Sequence, residues 1–290
     1  IFWNKGKEFV YYIKQEILMY KVGVIGNGFV GESQVFAFSS KVEVMVYDID
    51  PLKSTNKLED LFACDFVFVC VPTPMGKDGV QDLKYIHSVF KELKPGPVYI
   101  IKSTVLPGTT NTLKSIYPGL DIVFSPEFLT ERKAKLDMLT QSRIILGGIP
   151  KLTKKVKKLF EYRFFGKNII ETDPTTAELI KYMNNSFLAT KVSIMNEFKI
   201  LANKIGADWN KALHGFAVDG RIGETHMDVP GPDGKLGYGG TCFPKDVNAL
   251  LVFADKHDVD LNTIKGGWAT NLQVRPEKDW EADKGRAVSE

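Results

Sequence analysis

Between Lys21 and Glu127 the chain reads as five short, nearly continuous apolar runs: "KVGVIG", "VEVMVYD", "DFVFVCV", "VYIIKST" and "DIVFSPE". None of them alternates cleanly with polar residues. A strand buried on one face would alternate, whereas a strand with helices on both faces is apolar throughout, so the pattern predicts a parallel sheet inside an α/β domain. "RIILGG" at 143–148 and "NIIET" at 168–172 predict two further strands, with a helix at 151–160 between them. That intervening run, "KLTKKVKKLF", spaces its apolar positions at helical intervals and puts its lysines on the wet side.

After Thr172 the periodicity changes. Asp173 can cap a helix, Pro174 suits its first turn, no proline or glycine interrupts the next thirty or so residues, and Gly206 can end it. One long helix is expected over 174–205. Ile180, Phe187, Leu188, Met195, Phe198 and Leu201 recur at roughly helical spacing, so this helix must pack heavily, with a second copy of the chain in a homodimer as one partner. Shorter helices follow to about Ala269, broken by a glycine- and proline-rich loop at 219–241. The expected organisation is an extension at 1–19, an α/β domain at 20–172, a helical domain at 173–275 and a charged tail at 276–290 that is loose or covered by a partner.

Composition narrows the class without choosing a function. The 290 residues are 44% hydrophobic and 25% charged, which suits a globular protein of two domains. A net charge of +3 is too small to argue for nucleic acid or an anionic membrane. No apolar stretch approaches a membrane span, and the opening residues carry Lys14 and Glu16 where a signal peptide needs its apolar run, so a cytoplasmic protein is expected. Cys64 and Cys70 sit in or beside an apolar strand and read as core thiols of a reducing compartment rather than a disulfide framework.

The candidate chemistry begins with "GNGFVG", where Gly26, Gly28 and Gly31 follow the first strand and Asp48 ends the second. This is the dinucleotide fingerprint: one glycine for the tight turn, one for close approach of a pyrophosphate, one for helix–strand contact, and an acid for the ribose. Asp48 would repel a 2′-phosphate, so NAD is expected rather than NADP. Further loops lie at carboxyl ends of predicted strands, "VPTP" at 71–74, "KSTVLPGTT" at 102–110 and "SPEFLTE" at 125–131, where open α/β sheets bind ligands. Glu127 and Glu131 are four apart and so share one side of a helical turn, as cleft carboxylates or as dipole-favoured acids. Lys181 and Asn185 likewise share a face of the long helix, either snorkelling or aimed at a developing oxyanion. Cys242, in "GYGGTCFPKD", is a buried structural cysteine or a nucleophile; Lys181 or Lys245 would favour its thiolate, and Asp246 could act as a base.

In order along the chain, "GNGFVG", "VPTP", "KST", "SPEFL", "ELIKYMNNSFLA", "RIG" and "GYGGTCFPKD" resemble the UDP-glucose/GDP-mannose dehydrogenase family from about Lys21 to the end. The resemblance implies a Rossmann-type domain, a helical dimerisation domain, and oxidation of a nucleotide-sugar primary alcohol to a carboxylate with two NAD molecules through a cysteine thioester. By it, Cys242 would be the nucleophile, Lys181 and Asn185 would stabilise the oxyanion and bind sugar, Asp246 and Thr104 would position a water, and Glu127 would serve thioester hydrolysis. Gly26, Gly28, Phe29, Val30, Gly31, Asp48, Lys53, Pro72, Thr73, Thr104 and Glu131 would line the cofactor site. Phe128, Leu129, Lys181, Asn185, Tyr238 and Gly239 would line the substrate site, with Arg221 reaching across a dimer. "VPGPDGKLGYGGTCFPKD" favours UDP-glucose, with GDP-mannose the alternative. Family members usually continue into a second α/β domain that is expected to be missing here, which leaves an impaired NAD- and sugar-nucleotide-binding protein as another reading, and a dehydrogenase making one oxidation, with Cys242 structural, as a third.

Overall fold

A computed structural model describes residues 20–289; the expected extension at 1–19 and the last residue lie outside them. The described residues fall into two compact units, one of residues up to Pro72 together with Leu83–Lys181, the other of Thr73–Asp82 and everything from Tyr182 onward. The boundary lies inside the long helix.

The first unit is built on a seven-stranded sheet of strands β1 (Lys21–Ile25), β2 (Glu43–Tyr47), β3 (Phe66–Val69), β4 (Val98–Ile101), β5 (Asp121–Phe124), β6 (Arg143–Gly147) and β7 (Asn168–Thr172), in the order β2-β1-β3-β4-β5-β6-β7. Around it lie α1 (Phe29–Phe38), α2 (Lys84–Glu92), α3 (Thr109–Ile116), α4 (Ala134–Thr140) and α5 (Pro150–Arg163). The expected apolar runs are these strands, and their side chains divide by period two between two cores. Val22, Val24, Phe66, Phe68, Val98 and Ile100 pack with Phe38 of α1 and Phe160 of α5 on one side. Ile25, Val67, Val69, Tyr99 and Ile101 pack with Ile86, Phe90 and Leu113 on the other. Each such fully buried side chain contributes about 1.5–3 kcal/mol.

The parallel sheet expected from the five apolar runs is present, and one of the two further strands is reversed. The first five strands are parallel, but β6 runs antiparallel to β5, meeting it at the pair Phe124 and Gly147, while β7 is parallel to β6. The cause lies in the connection: α4 is seven residues long and packs on α1, so the chain is not carried back to the opposite edge before β6 begins.

Helix α6, Pro174–Ile205, has the expected bounds. Its first turn is fixed by Asp173, whose carboxylate accepts from the Thr176 amide at 2.9 Å. Glu178, fully buried, accepts from the amides of Gly108 and Thr110 at 2.6 and 2.8 Å and so satisfies two donors at the start of α3. The second unit adds α7 (Trp209–Ala217), α8 (Phe243–Asp255) and α9 (Asn262–Val274). The segment after α9 is not loose, contrary to its charged composition. Trp280 is 2% exposed beside Trp268, Ala287 is buried, and the backbone of Met75 pairs with Ala287 and Ser289. Two aromatic anchors and a backbone ladder outweigh the charge of the residues between them.

Burial pushes the Glu178 carboxyl up to about 6 despite its backbone partners. Between about 4.5 and 6 the folded state therefore holds more protons than the unfolded one, and stability falls as pH rises through that window. Glu178→Gln can accept one of the two amides, so it should lower stability by about 1–2 kcal/mol near pH 5. That penalty should shrink above pH 6, as read by denaturant unfolding at a series of pH values.

Candidate active site

Gly26 has φ +87°, a conformation glycine adopts without strain, and its amide donates to the Tyr47 carbonyl at 2.9 Å, tying the loop to β2. Gly28 is the N-cap of α1 and faces open space, whereas a Cβ on Gly31 would run into the Gly26 carbonyl oxygen. The first turn of α1, with Phe29 and Val30 half-buried, thus carries no side-chain cap and leaves room for an anion at the helix N-terminus. Asp48 accepts from the amides of Asn27 and Asp50 at 2.6 and 2.9 Å. A carboxylate has about four acceptor sites, so it keeps capacity for ribose hydroxyls. The Asn27 amide nitrogen donates to the Lys53 carbonyl at 2.9 Å, while its buried Oδ1 has no protein partner. These residues fit an adenosine ribose and pyrophosphate. Lys53 itself is exposed, 4.0 Å from Asp50. Ile49, ahead of the Pro51–Lys53 turn, and Leu52, within it, are 93% and 94% exposed apolar surfaces that sequence reasoning passed over; their position within four residues of Asp48 was the available signal.

Farther along the carboxyl edge of the sheet, Glu127 follows β5 and Lys102 follows β4. Glu127 Oε1 is 2.9 Å from Lys181 Nζ of α6, which also donates to the Glu127 carbonyl at 2.6 Å. The other carboxylate oxygen accepts from the Leu129 amide at 2.6 Å. Burial opposes the charge on Glu127, but Lys181, the Leu129 amide and Lys102 together hold its carboxyl below the usual carboxylate range. Lys102 was quoted in "KST" without being singled out. It is 3% exposed, donates to the Pro126 carbonyl at 3.1 Å and lies 3.4 Å from Ser125 Oγ. Burial pushes its ammonium down to about 8 against the help of Cys70 and Glu127, and burial likewise drives the Cys70 thiol up to about 12. Phe128 lies between the Arg143 guanidinium, 4.2 Å away, and Lys181, 5.5 Å away. Thr104 is buried in the same unit; Glu131 is exposed and opens a short 3-10 turn, and Pro72 is exposed.

The second unit holds its own polar cluster. Asn185 of α6 donates to Asp246 Oδ2 at 2.7 Å, and Lys245 donates to Asp246 Oδ1 at 2.5 Å. Asp246 and Asn185 are 1% and 4% exposed. Cys242 is the N-cap of α8, and its carbonyl accepts from the Asp246 amide at 3.0 Å, so thiol and carboxylate are one helical turn apart. Its Sγ is 3.7 Å from Thr241 Oγ1. The helix N-terminus favours an anion there, a signal that sequence reasoning missed in favour of neighbouring lysines. Tyr238 is buried and its phenol is pushed up by burial; Gly239 adjoins it. Thr73 is buried in this unit, in the Thr73–Asp82 loop. Arg221 is exposed and fork-bonded to Asp219 at 2.9 and 2.5 Å. Among the described residues no disulfide forms, no His, Cys, Asp and Glu group could hold a metal ion, and no helix is long and apolar enough to cross a membrane.

Residues 50–163 match the NAD binding domain, and residues 175–273 the central domain, of the UDP-glucose/GDP-mannose dehydrogenase family. The chain belongs to this family. It is 36% identical over 233 residues to the UDP-glucose 6-dehydrogenase of Rickettsia conorii, matching 77% of this chain and 53% of that protein. With UDP-glucose 6-dehydrogenase TuaD of Bacillus subtilis it shares 30% identity over 303 residues, 89% of this chain and 64% of the relative. The solved UDP-glucose dehydrogenase of Pyrobaculum islandicum superposes with a TM-score of 0.79 at 26% identity, covering 88% of this chain and 68% of that one. The chain spans roughly half to two thirds of the length of these two curated relatives.

The Lys102 charge gives a pH test. Its folded pKa lies below that of a free lysine, so from about 8 to 10.5 the unfolded state binds more protons, and wild-type stability should rise with pH by about 2–3 kcal/mol relative to Lys102→Met. Paired unfolding curves between pH 7.5 and 10.5 measure that difference.

Proposed function

We propose that the chain carries the catalytic machinery of an NAD-dependent, four-electron oxidation of UDP-glucose to UDP-glucuronate. The observation that carries this reading is the pairing of Cys242 and Asp246 one turn apart at the start of α8, with Asp246 tied to Asn185 one turn beyond Lys181 on α6. NAD held at the Gly26–Gly31 loop and Asp48 would supply the hydride acceptor for both oxidations, of the primary alcohol and of the thiohemiacetal. Lys181 stabilises the alkoxide that precedes the first transfer and the oxyanion formed when the Cys242 thiolate adds to the aldehyde carbon. Loss of the second hydride leaves a thioester on Sγ. Asn185 shares the oxyanion and sugar contacts with Lys181; Asp246 and Thr104 orient the water that attacks the thioester, Glu127 takes that water's proton, and the thiolate departs. The balance is one alcohol, one water and two NAD+ giving one carboxylate, two NADH and three protons. Gly26, Gly28, Phe29, Val30, Gly31, Asp48, Lys53, Pro72, Thr73, Thr104 and Glu131 hold the cofactor in this reading, and Phe128, Leu129, Tyr238 and Gly239 the sugar nucleotide.

The choice of UDP-glucose rests on the loop "GGTCFPKD" and on relatives at 30–36% identity that carry that activity in their names. The alternative that the test separates is a protein that binds NAD and sugar nucleotide without full turnover. With limiting UDP-glucose, the expected yield is two NADH per sugar, read by absorbance and lost in Cys242→Ser. One NADH per sugar would make Cys242 structural, and none with either UDP-glucose or GDP-mannose would favour the binding protein.

We also propose a homodimer through α6. Met183, Phe187, Ile194, Phe198, Leu201 and Ile205 are 43–70% exposed along one side of that helix. Phe198, Leu201 and Ile205 also line an apolar hollow of about 250 Å³ against Trp209 and Phe216 of α7. Arg221 would reach the partner's substrate. Phe187→Glu with Phe198→Glu should convert a dimer to monomers in light scattering, weakening association by about tenfold or more.

A further inference from the structure

The glycines ahead of Cys242 are held, not slack. Tyr238 donates its amide to Asn271 Oδ1 at 2.7 Å and receives at its carbonyl the Asn271 amide nitrogen at 3.0 Å, so one side chain closes both backbone groups of that residue. Next to it, the Gly237 amide donates to Asn196 Oδ1 at 3.0 Å, and Arg275 Nη1 donates to the Leu236 carbonyl at 3.2 Å. Asn196, Asn271 and Arg275 are 1%, 0% and 2% exposed, so these bonds are made away from water, where an unmade partner is costly. Arg275 is fixed in turn by Asp233, at 2.7 Å, and by a two-point pair with Asp279 at 2.6 and 3.0 Å.

This arrangement explains the glycines. Gly237 has φ +65° and no room for a Cβ beside Asn271 Oδ1, and a Cβ on Gly239 would stand 2.5 Å from Asp279 Oδ1 and 2.7 Å from Arg275 Nη2. The Tyr238 ring is held as well, edge-on to Phe243 at 5.8 Å and tilted against Trp268 at 6.1 Å. Asn196 comes from α6, Asn271 and Arg275 from the end of α9, and Asp279 from the segment beyond it.

We infer that Asn271, assisted by Asn196 and Arg275, is a positioning residue: it fixes residues 236–238 and thereby the approach of the chain to Cys242 at the head of α8. The catalytic consequence rests on the nucleophilic role proposed for Cys242. The positioning itself does not, and it can be read from the thiol.

Asn271→Asp keeps the acceptor for the Tyr238 amide but replaces the donor to its carbonyl with an oxygen. In the folded variant, with NAD affinity unchanged as a check on the first unit, iodoacetamide should alkylate Cys242 about threefold faster or more by peptide mapping, because release of the loop exposes the thiol. Turnover should fall about tenfold or more in kcat with little change in KM for NAD. Asn196 gives an independent pair: Asn196→Leu should speed alkylation as well, and Asn196→Asp, which keeps the acceptor for Gly237, should restore the wild-type rate. Alkylation unchanged in both Asn271→Asp and Asn196→Leu would overturn the inference. A wild-type chain that oxidises no sugar, yet shows these alkylation differences, would remove the substrate assignment and leave the positioning role standing.

Discussion

Helix α6 buries polar side chains and exposes apolar ones, and the rest of the structure is arranged around that inversion. Glu178, Lys181, Asn185, Ser193 and Asn196 fall on one side at 3.6 residues per turn, and all are nearly inaccessible. Each has a partner that it satisfies: the amides opening α3, the Glu127 carboxylate, the Asp246 carboxylate, the Gly267 carbonyl and the Gly237 amide. Buried polar groups cost free energy unless paired, so each of these contacts constrains a loop as much as it stabilises the helix. The opposite side, from Met183 to Ile205, is apolar and open.

The charges follow from that placement. Glu127 is a buried carboxylate whose desolvation is offset by the nearby ammonium groups of Lys181 and Lys102 and by a backbone amide. A carboxyl held below its ordinary range stays ionised and is a weak base. At rest it therefore serves to hold Lys181 in place. In the proposed reaction it would gain basicity if Lys181 turned to a substrate oxyanion, because Lys181 is the largest of its stabilising charges. Asp246 has the analogous arrangement in the second unit, with Asn185 on one oxygen and Lys245 on the other.

What could be read from the chain depended on period. The strands stood out because both faces are buried, and the bounds of α6 because Asp173, Pro174 and Gly206 mark its ends. The sense of its amphipathicity did not: Phe187, Phe198 and Leu201 keep helical spacing as core residues would, yet they are exposed in the single chain, while the partners of Glu178 and Asn196 lie 68–70 and 41 residues away. The antiparallel turn to β6 was invisible because strand direction is set by where the connecting helix packs, not by the strand's composition. Within the candidate site, glycine spacing and the Asp48 position were legible as local geometry. Lys102 was hidden by its ordinary place in an apolar strand end, since nothing in "KST" tells a buried ammonium from an exposed one.

The charged segment after α9 shows the same limit from the other direction. Its composition argues for a solvated tail, but Arg275 and Asp279 neutralise each other beside the Gly237–Gly239 backbone, and the Arg275 guanidinium and its hydrogen bonds hold the Asp279 carboxyl down to about 2. Such a pair has to sit against backbone without side chains, or the guanidinium could not reach both Leu236 and Asp279. The glycines near the cysteine and the acids and arginine some forty residues later are thus one structural decision written in two places. Composition averages over each place separately, and the constraint that joins them exists only in the folded chain.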